Sequence, residues 1–206
     1  MARADRKIAH AHGDPSTRQR GSSMLEALVT MVILSVGLLG LMQLITRAAM
    51  TEYESYQRAQ ALILLSDMVE KINTNRKAAG CYAFSDPSSG APSLGTSSGG
   101  PTPCSAWGTA AEQARALADL NDWNQKLLGT AESKAGVGTG AMLGARGCVT
   151  FDPATNVFQV SVAWQGSTKT VQPTAVDPTF VCGQGQYGAE EQRRMVASTL
   201  TIANLR

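Results

Sequence analysis

The sequence predicts an α+β protein in which one long N-terminal helix, transmembrane in its first half, packs on a small antiparallel β-sheet domain. Three observations predict it. Residues 24–75 contain no proline and only two glycines, Gly37 and Gly40, so a single helix of about 50 residues, near 75 Å at 1.5 Å per residue, can run uninterrupted. Residues 22–46 carry Glu26 as their only charge, and as a helix they are long enough to cross a hydrocarbon core of about 30 Å. Toward the C-terminus, three stretches alternate apolar and polar side chains with the period of two that marks half-buried strands.

Residues 1–21 are polar and set Arg3, Arg6, Lys7, Arg18 and Arg20 against Asp5 and Asp14. The positive-inside rule keeps this flank in the cytoplasm, which sends the chain beyond the apolar run across the membrane. His10 and His12 read as parts of a solvated processing segment rather than as metal ligands. A secretory signal peptide has a shorter apolar core followed by a small-residue cleavage site. Here the core is too long, Arg47 follows it, and Ala48 and Ala49 make a weak site. The small-residue site stands in front instead, at Arg20-Gly21-Ser22.

Residues 47–76 form the amphipathic half of the helix. Glu54 with Arg58 and Asp67 with Lys71 are i,i+4 pairs of the favourable order, each contributing about 0.3 kcal/mol on an exposed face. Leu62, Leu65, Val69 and Ile72 recur at three-four spacing and predict the stripe that packs on the domain. Gly37 and Gly40 lack the four-residue spacing of the helix-dimer motif.

Residues 77–206 are expected to form the globular domain. Residues 73–80 end the long helix, and the Ser-, Gly-, Pro- and Thr-dense stretch 85–103 predicts a flexible excursion too polar to pack. Residues 109–128 read as a second helix, with Leu117, Leu120, Asn124 and Leu127 in line and Trp123 and Leu128 alongside. Its Asp119 and Asp122 have no partner base or metal motif and read as a solvated face. The glycine-rich run 133–147, including Gly136-Val-Gly138-Thr-Gly140, has no lysine to close a phosphate loop and reads as a connection. Residues 147–151 and 157–164, joined through Asp152-Pro-Ala-Thr-Asn156, predict a hairpin with Phe158, Val160, Val162 and Trp164 on the core face. Residues 194–203 give a third strand after a long loop, 170–192, that contains Cys182.

Cys81, Cys104, Cys148 and Cys182 all lie on the translocated side. The closest are more than about 20 residues apart and no histidine is near them, which disfavours zinc and predicts disulfides in an oxidising compartment. Three connectivities are open. Sequential pairing is favoured, and each bridge would close a loop of about 25 to 35 residues and stabilise by about 3 to 4 kcal/mol in the entropic account.

The formal charge is +2. Residues 1–21 hold five basic and two acidic side chains, which leaves thirteen basic and fourteen acidic beyond them, a net −1 with no electrostatic reason to expect nucleic acid. Both histidines of the chain lie in residues 1–21, so the processed chain cannot build Ser-His-Asp or Cys-His machinery. No dinucleotide fingerprint, Walker loop or metal motif is present either. The expectation is a non-enzyme without catalytic residues, metal or cofactor.

The string R-G-S-S-M-L-E-A-L-V-T-M-V-I-L-S-V-G-L-L-G, residues 20–40, resembles the class III signal of type IV pilins and type II secretion pseudopilins. The resemblance implies that prepilin peptidase cuts after Gly21 and methylates the new amine on Ser22, and that Glu26 is the family's assembly glutamate. The first mature residue of that family is usually phenylalanine; here it is Ser22. Residues 76–81, the Asp119-Leu-Asn-Asp-Trp-Asn-Gln-Lys-Leu127 helix, Arg146-Gly-Cys-Val and Val162-Ala-Trp-Gln-Gly166 are similar to the PilV-type minor pilins, the type IV pilus modification proteins. That likeness implies a pilin-like fold and a role in priming assembly and forming the fibre or tip complex, in support of twitching motility and adhesion. It implies as partners other minor pilins, the major pilin, the inner-membrane assembly platform and a tip adhesin. Before assembly the protein would stand in the bacterial inner membrane with its domain in the periplasm. Two alternatives remain open at this stage: a minor pseudopilin of a type II secretion or competence system, and a periplasmic binding domain on an uncleaved anchor.

Overall fold

A helix free of proline opens the computed structural model, which describes residues 22–130, 133–134, 137–138, 142–171 and 180–202. Helix α1 spans Ser22–Thr74, and a 3₁₀ turn follows at Arg76–Tyr82. Then come β1 (Leu94–Gly95), α2 (Ala110–Leu127), β2 (Ser133–Lys134), β3 (Val137–Gly138), β4 (Arg146–Asp152), β5 (Val157–Gln165) and β6 (Arg193–Thr201). Four strands form one antiparallel sheet in the order β1-β4-β5-β6, giving the α+β layout expected from the sequence. Strands β2 and β3 pair separately, so the glycine-rich run expected to be a plain connection contains a short ribbon.

The chain divides into two units, Met1–Ala48 and Ala49–Arg206. In the first, the apolar side chains of α1 are exposed all round, and Gly37 and Gly40 have no neighbour within 4 Å of an added Cβ. The helix is long and apolar enough to cross a membrane.

In the second unit, α1 buries Ala61, Leu64, Leu65, Met68 and Ile72. This corrects the stripe expected from leucine spacing. Leu62 is exposed and Val69 sits at the margin, because each residue turns the helix by about 100° and the buried line runs one position away from Leu62. The small Ala61 and the flexible Met68 fill the contact instead.

Thr109 caps α2 through a reciprocal box: Glu112 donates its amide to the Thr109 hydroxyl oxygen, and the Glu112 carboxylate accepts from the Thr109 amide at 2.7 Å. The buried face of α2 is Ala116, Leu120, Trp123, Asn124 and Leu127. Leu128, expected alongside, is exposed. The Trp123 indole N–H donates to the Leu64 carbonyl at 2.9 Å, which satisfies the polar end of a fully buried ring. Below that ring lies Gly147 of β4, where an added Cβ would overlap the six-membered ring of Trp123. Only glycine lets the sheet approach α2 this closely.

Strands β4 and β5 pair from Arg146↔Ala163 to Asp152↔Val157 around the anticipated hairpin. Asp152 supports the turn by accepting from the Ala154 amide at 2.9 Å and the Thr155 hydroxyl at 2.6 Å, and Asn156 takes a φ of +57°. Phe158, Val160, Val162 and Trp164 are buried in the main core. On the other face of the sheet, Cys148, Ala163, Cys182 and Tyr187 form a second, smaller cluster.

The segment 85–103 is not the unpacked excursion its composition predicts. Leu94 is buried and β1 pairs with β4, while the Ser85 amide donates to the Val149 carbonyl at 3.0 Å. The polar residues of this segment satisfy one another: Asp86 accepts from the amides of Ser88 and Ser89 at 2.8 and 3.0 Å, and Asn124 of α2 accepts from the Gly95 amide at 2.7 Å. Hydroxyls and amides thus hold a segment with little apolar surface of its own.

Candidate functional site

The processing and assembly residues singled out in the sequence fall in the first unit. Gly21 lies outside the described residues, as do His10 and His12. Ser22 is the first residue of α1, and Glu26 sits one turn on, about 6 Å along the axis. The other polar groups of this half are largely spent on the helix itself. Thr30 donates to the Ala27 carbonyl at 2.9 Å, Ser35 to Met31 at 2.7 Å and Thr46 to Met42 at 2.9 Å. Back-bonded hydroxyls cost little in an apolar surrounding, whereas a carboxylate there needs a cation. Glu26 is therefore the conspicuous group of the segment.

In the second unit, the acidic pair on α2 has a structural task. Lys71 and Lys126 alternate with Asp67 and Asp122 in a square: Lys71–Asp67 3.3 Å, Lys71–Asp122 2.5 Å, Lys126–Asp67 3.1 Å and Lys126–Asp122 2.9 Å. The expected i,i+4 pair Asp67–Lys71 is one side of it. Asp119 accepts from the Tyr82 hydroxyl at 2.6 Å, and the Asn75 amide donates to that hydroxyl at 3.2 Å and to the Glu112 carbonyl at 2.8 Å. Burial, and then the Asp119 bond, push the Tyr82 phenol well above its usual range. These contacts fasten α2 to α1 rather than prepare acid–base chemistry.

Glu54 does not serve the Arg58 pair expected for it. Its carboxylate accepts from the Ser167 amide and hydroxyl at 3.1 and 2.8 Å and from those of Thr168 at 3.2 and 3.0 Å, with the Arg194 guanidinium at 3.6 Å. Such a nest leaves no periodicity in the sequence, because its donors come from a turn more than a hundred residues away.

Both groups set a pH dependence. Partial burial raises the Asp122 and Glu54 carboxyls, but hydrogen bonds from Lys71 and Lys126 in one case, and from Ser167 and Thr168 in the other, bring both below their usual values. A lowered carboxyl contributes stability that is present above its unfolded pKa, near 4, and is lost as pH falls through the folded value. Both sites are partly exposed, so each contributes only about 1 kcal/mol after screening. Urea midpoints are expected to fall between about pH 5 and pH 2, and Asp122→Asn is expected to flatten that slope. An unchanged slope would remove the square from the account.

The four cysteines form two bonds, Cys81–Cys104 and Cys148–Cys182, spanning 23 and 34 residues. Among the described residues no cluster of three or more His, Cys, Asp or Glu could hold a metal. The 170–192 loop carrying Cys182 is also held by Arg193, which donates to the Phe180 and Cys182 carbonyls at 2.9 and 3.3 Å.

Among known families, the prokaryotic N-terminal methylation motif matches residues 16–42. No curated protein and no solved structure matches the chain. The matched stretch contains Gly21, Ser22 and Glu26 and indicates a pilin-like or pseudopilin-like protein, a structural rather than enzymatic class served in general by prepilin peptidase and by a pilus or secretion system. With the apolar half of α1, it points to membrane anchoring.

Proposed function

We propose that this chain is a minor pilin that takes part in priming type IV pilus assembly and in forming the fibre or its tip complex, supporting pilus biogenesis, twitching motility and adhesion. The observation that carries the reading is the methylation motif at 16–42 together with helix α1, whose one charge between residues 22 and 46 is Glu26. Prepilin peptidase cuts after Gly21 on the cytoplasmic side and methylates Ser22. The cut creates a positive amine about one turn from Glu26. A carboxylate in an apolar surrounding costs a few kcal/mol unless paired. In a stack of subunits, Glu26 meets the amine of a neighbour, so the pair forms only when a subunit joins. The partners in this reading are the major pilin, other minor pilins, the inner-membrane platform and a tip adhesin.

Gly21→Val is expected to leave residues 1–21 attached, seen as an uncleaved precursor by immunoblot; normal removal in that variant would contradict the processing step. Deletion of the protein tests the assignment to a machine. Loss of surface pili and twitching with secretion intact supports the pilus, and loss of protein secretion with pili intact would reassign the chain to a pseudopilin role.

A further inference from the structure

Three segments far apart in sequence converge beside the Cys148–Cys182 disulfide: the 89–93 turn, the start of β4 at Arg146, and the 183–186 turn. They enclose a cleft of about 190 Å³ lined by Arg146, Ser93, Gln184, Gln186, Gly90 and Gly183. Its walls are held from outside. Cys148 Sγ lies 3.2 Å from the Gly90 carbonyl oxygen. Gly90 has a φ of +64°, and a Cβ there would stand 2.8 Å from the Val181 backbone, so glycine is what lets the two turns close on each other. The Gln184 amide donates to the Val181 carbonyl at 2.9 Å, which sets the third wall.

Arg146 is the charged residue lining this cleft, and its hydrogen bonding is incomplete. Its Nε is buried without a partner, and its Nη1 reaches only the Ser93 hydroxyl at 3.5 Å, the outer limit of a hydrogen bond. The acids of the adjoining turns are committed elsewhere. Asp86 accepts from Ser88 and Ser89, while Glu190 pairs with Arg193 and accepts from the Gly185 amide at 3.2 Å. Among the described residues Arg146 has no ion-pair partner.

We propose that this cleft is a binding site for a carboxylate presented by another polypeptide. A guanidinium short of acceptors and flanked by neutral hydroxyl and amide groups matches a planar monoanion, which it can take in two parallel hydrogen bonds. A phosphate dianion would call on further cations or a helix N-terminus, and neither lines the cleft. The Cys148–Cys182 disulfide ties the β4 and 183–186 walls together beforehand, which lowers the ordering cost of binding. An acidic side chain and a chain-terminal carboxylate offer the same group.

The test titrates the full chain in detergent micelles with two probes, following the Arg146 Nε–H and Gln184 amide signals by NMR. N-acetylaspartate amide presents a side-chain carboxylate and N-acetylglycylglycine a terminal one; N-acetylasparagine amide is the neutral control. At least one carboxylate is expected to shift both signals saturably with a Kd of about 1–10 mM, and the tighter probe identifies the source. Arg146→Gln is expected to abolish the Gln184 shift. Gln186→Glu, which places the chain's own carboxylate at the cleft, is expected to weaken the probe at least about fivefold with the fold intact. Equal shifts from the neutral control, undiminished binding to both variants, or no saturation by about 100 mM would overturn the proposal.

Discussion

Glu26→Ala protein is expected to insert in the membrane and lose residues 1–21 as usual, yet to be absent from sheared fibres. The expectation follows from the position of the carboxylate. Residues 22–46 hold no other charge, and the hydroxyls of Thr30, Ser35 and Thr46 already bond their own helix, so Glu26 is the group left needing a cation. Removing one member of a buried charge pair costs about 2–5 kcal/mol, which is more than tenfold in subunit incorporation. Glu26→Asp keeps the charge on a shorter arm and is expected to recover part of the loss, whereas Leu28→Ala on the same helix should change incorporation little. Fibres carrying the Glu26→Ala chain at the parental level would remove the pairing role.

The second large effect lies in the core. Trp123→Ala is expected to destabilise the globular unit by about 3–5 kcal/mol, since it empties a fully buried indole site and deletes the bond to the Leu64 carbonyl. Gly147→Ala acts on the same contact from the sheet side. Its Cβ would overlap the Trp123 ring, at a cost of about 1–3 kcal/mol from overpacking. The two sites share one volume, so their effects should not add: Gly147→Ala should cost less in the Trp123→Ala background. A urea series on the two single variants and the double variant, with disulfides intact, measures that coupling. Additive values would mean that α2 and β4 do not meet through this ring.

Legibility in the sequence followed the kind of interaction. Helix α1 was readable from the absence of proline, and β5 from strict alternation, because both signals are local. The buried line on α1 was not. Leu62 outranks Ala61 in hydrophobicity, but Ala61 and Met68 are buried and Leu62 is not, and α2 reaches α1 at Leu64, Asp67 and Lys71, a choice that is tertiary. Segment 85–103 is polar in composition yet packed: its serines and Asp86 bond one another, and Leu94 is its buried apolar side chain beside the buried Ser85. The Glu54 nest and the Arg146 cleft had no signal beyond the presence of a charge, since each is completed by turns distant in sequence. The N-terminal motif was legible for the opposite reason: it lies within one short stretch, residues 16–42, and its spacing is local.

Intact-mass analysis with N-terminal mapping of protein purified from membranes or fibres tests the central claim most directly. The account predicts a chain that begins at Ser22, carries an N-methyl group on that residue, and has all four cysteines oxidised. A chain that still begins at Met1 would contradict it, and would leave residues 22–46 as an ordinary anchor with Glu26 unexplained.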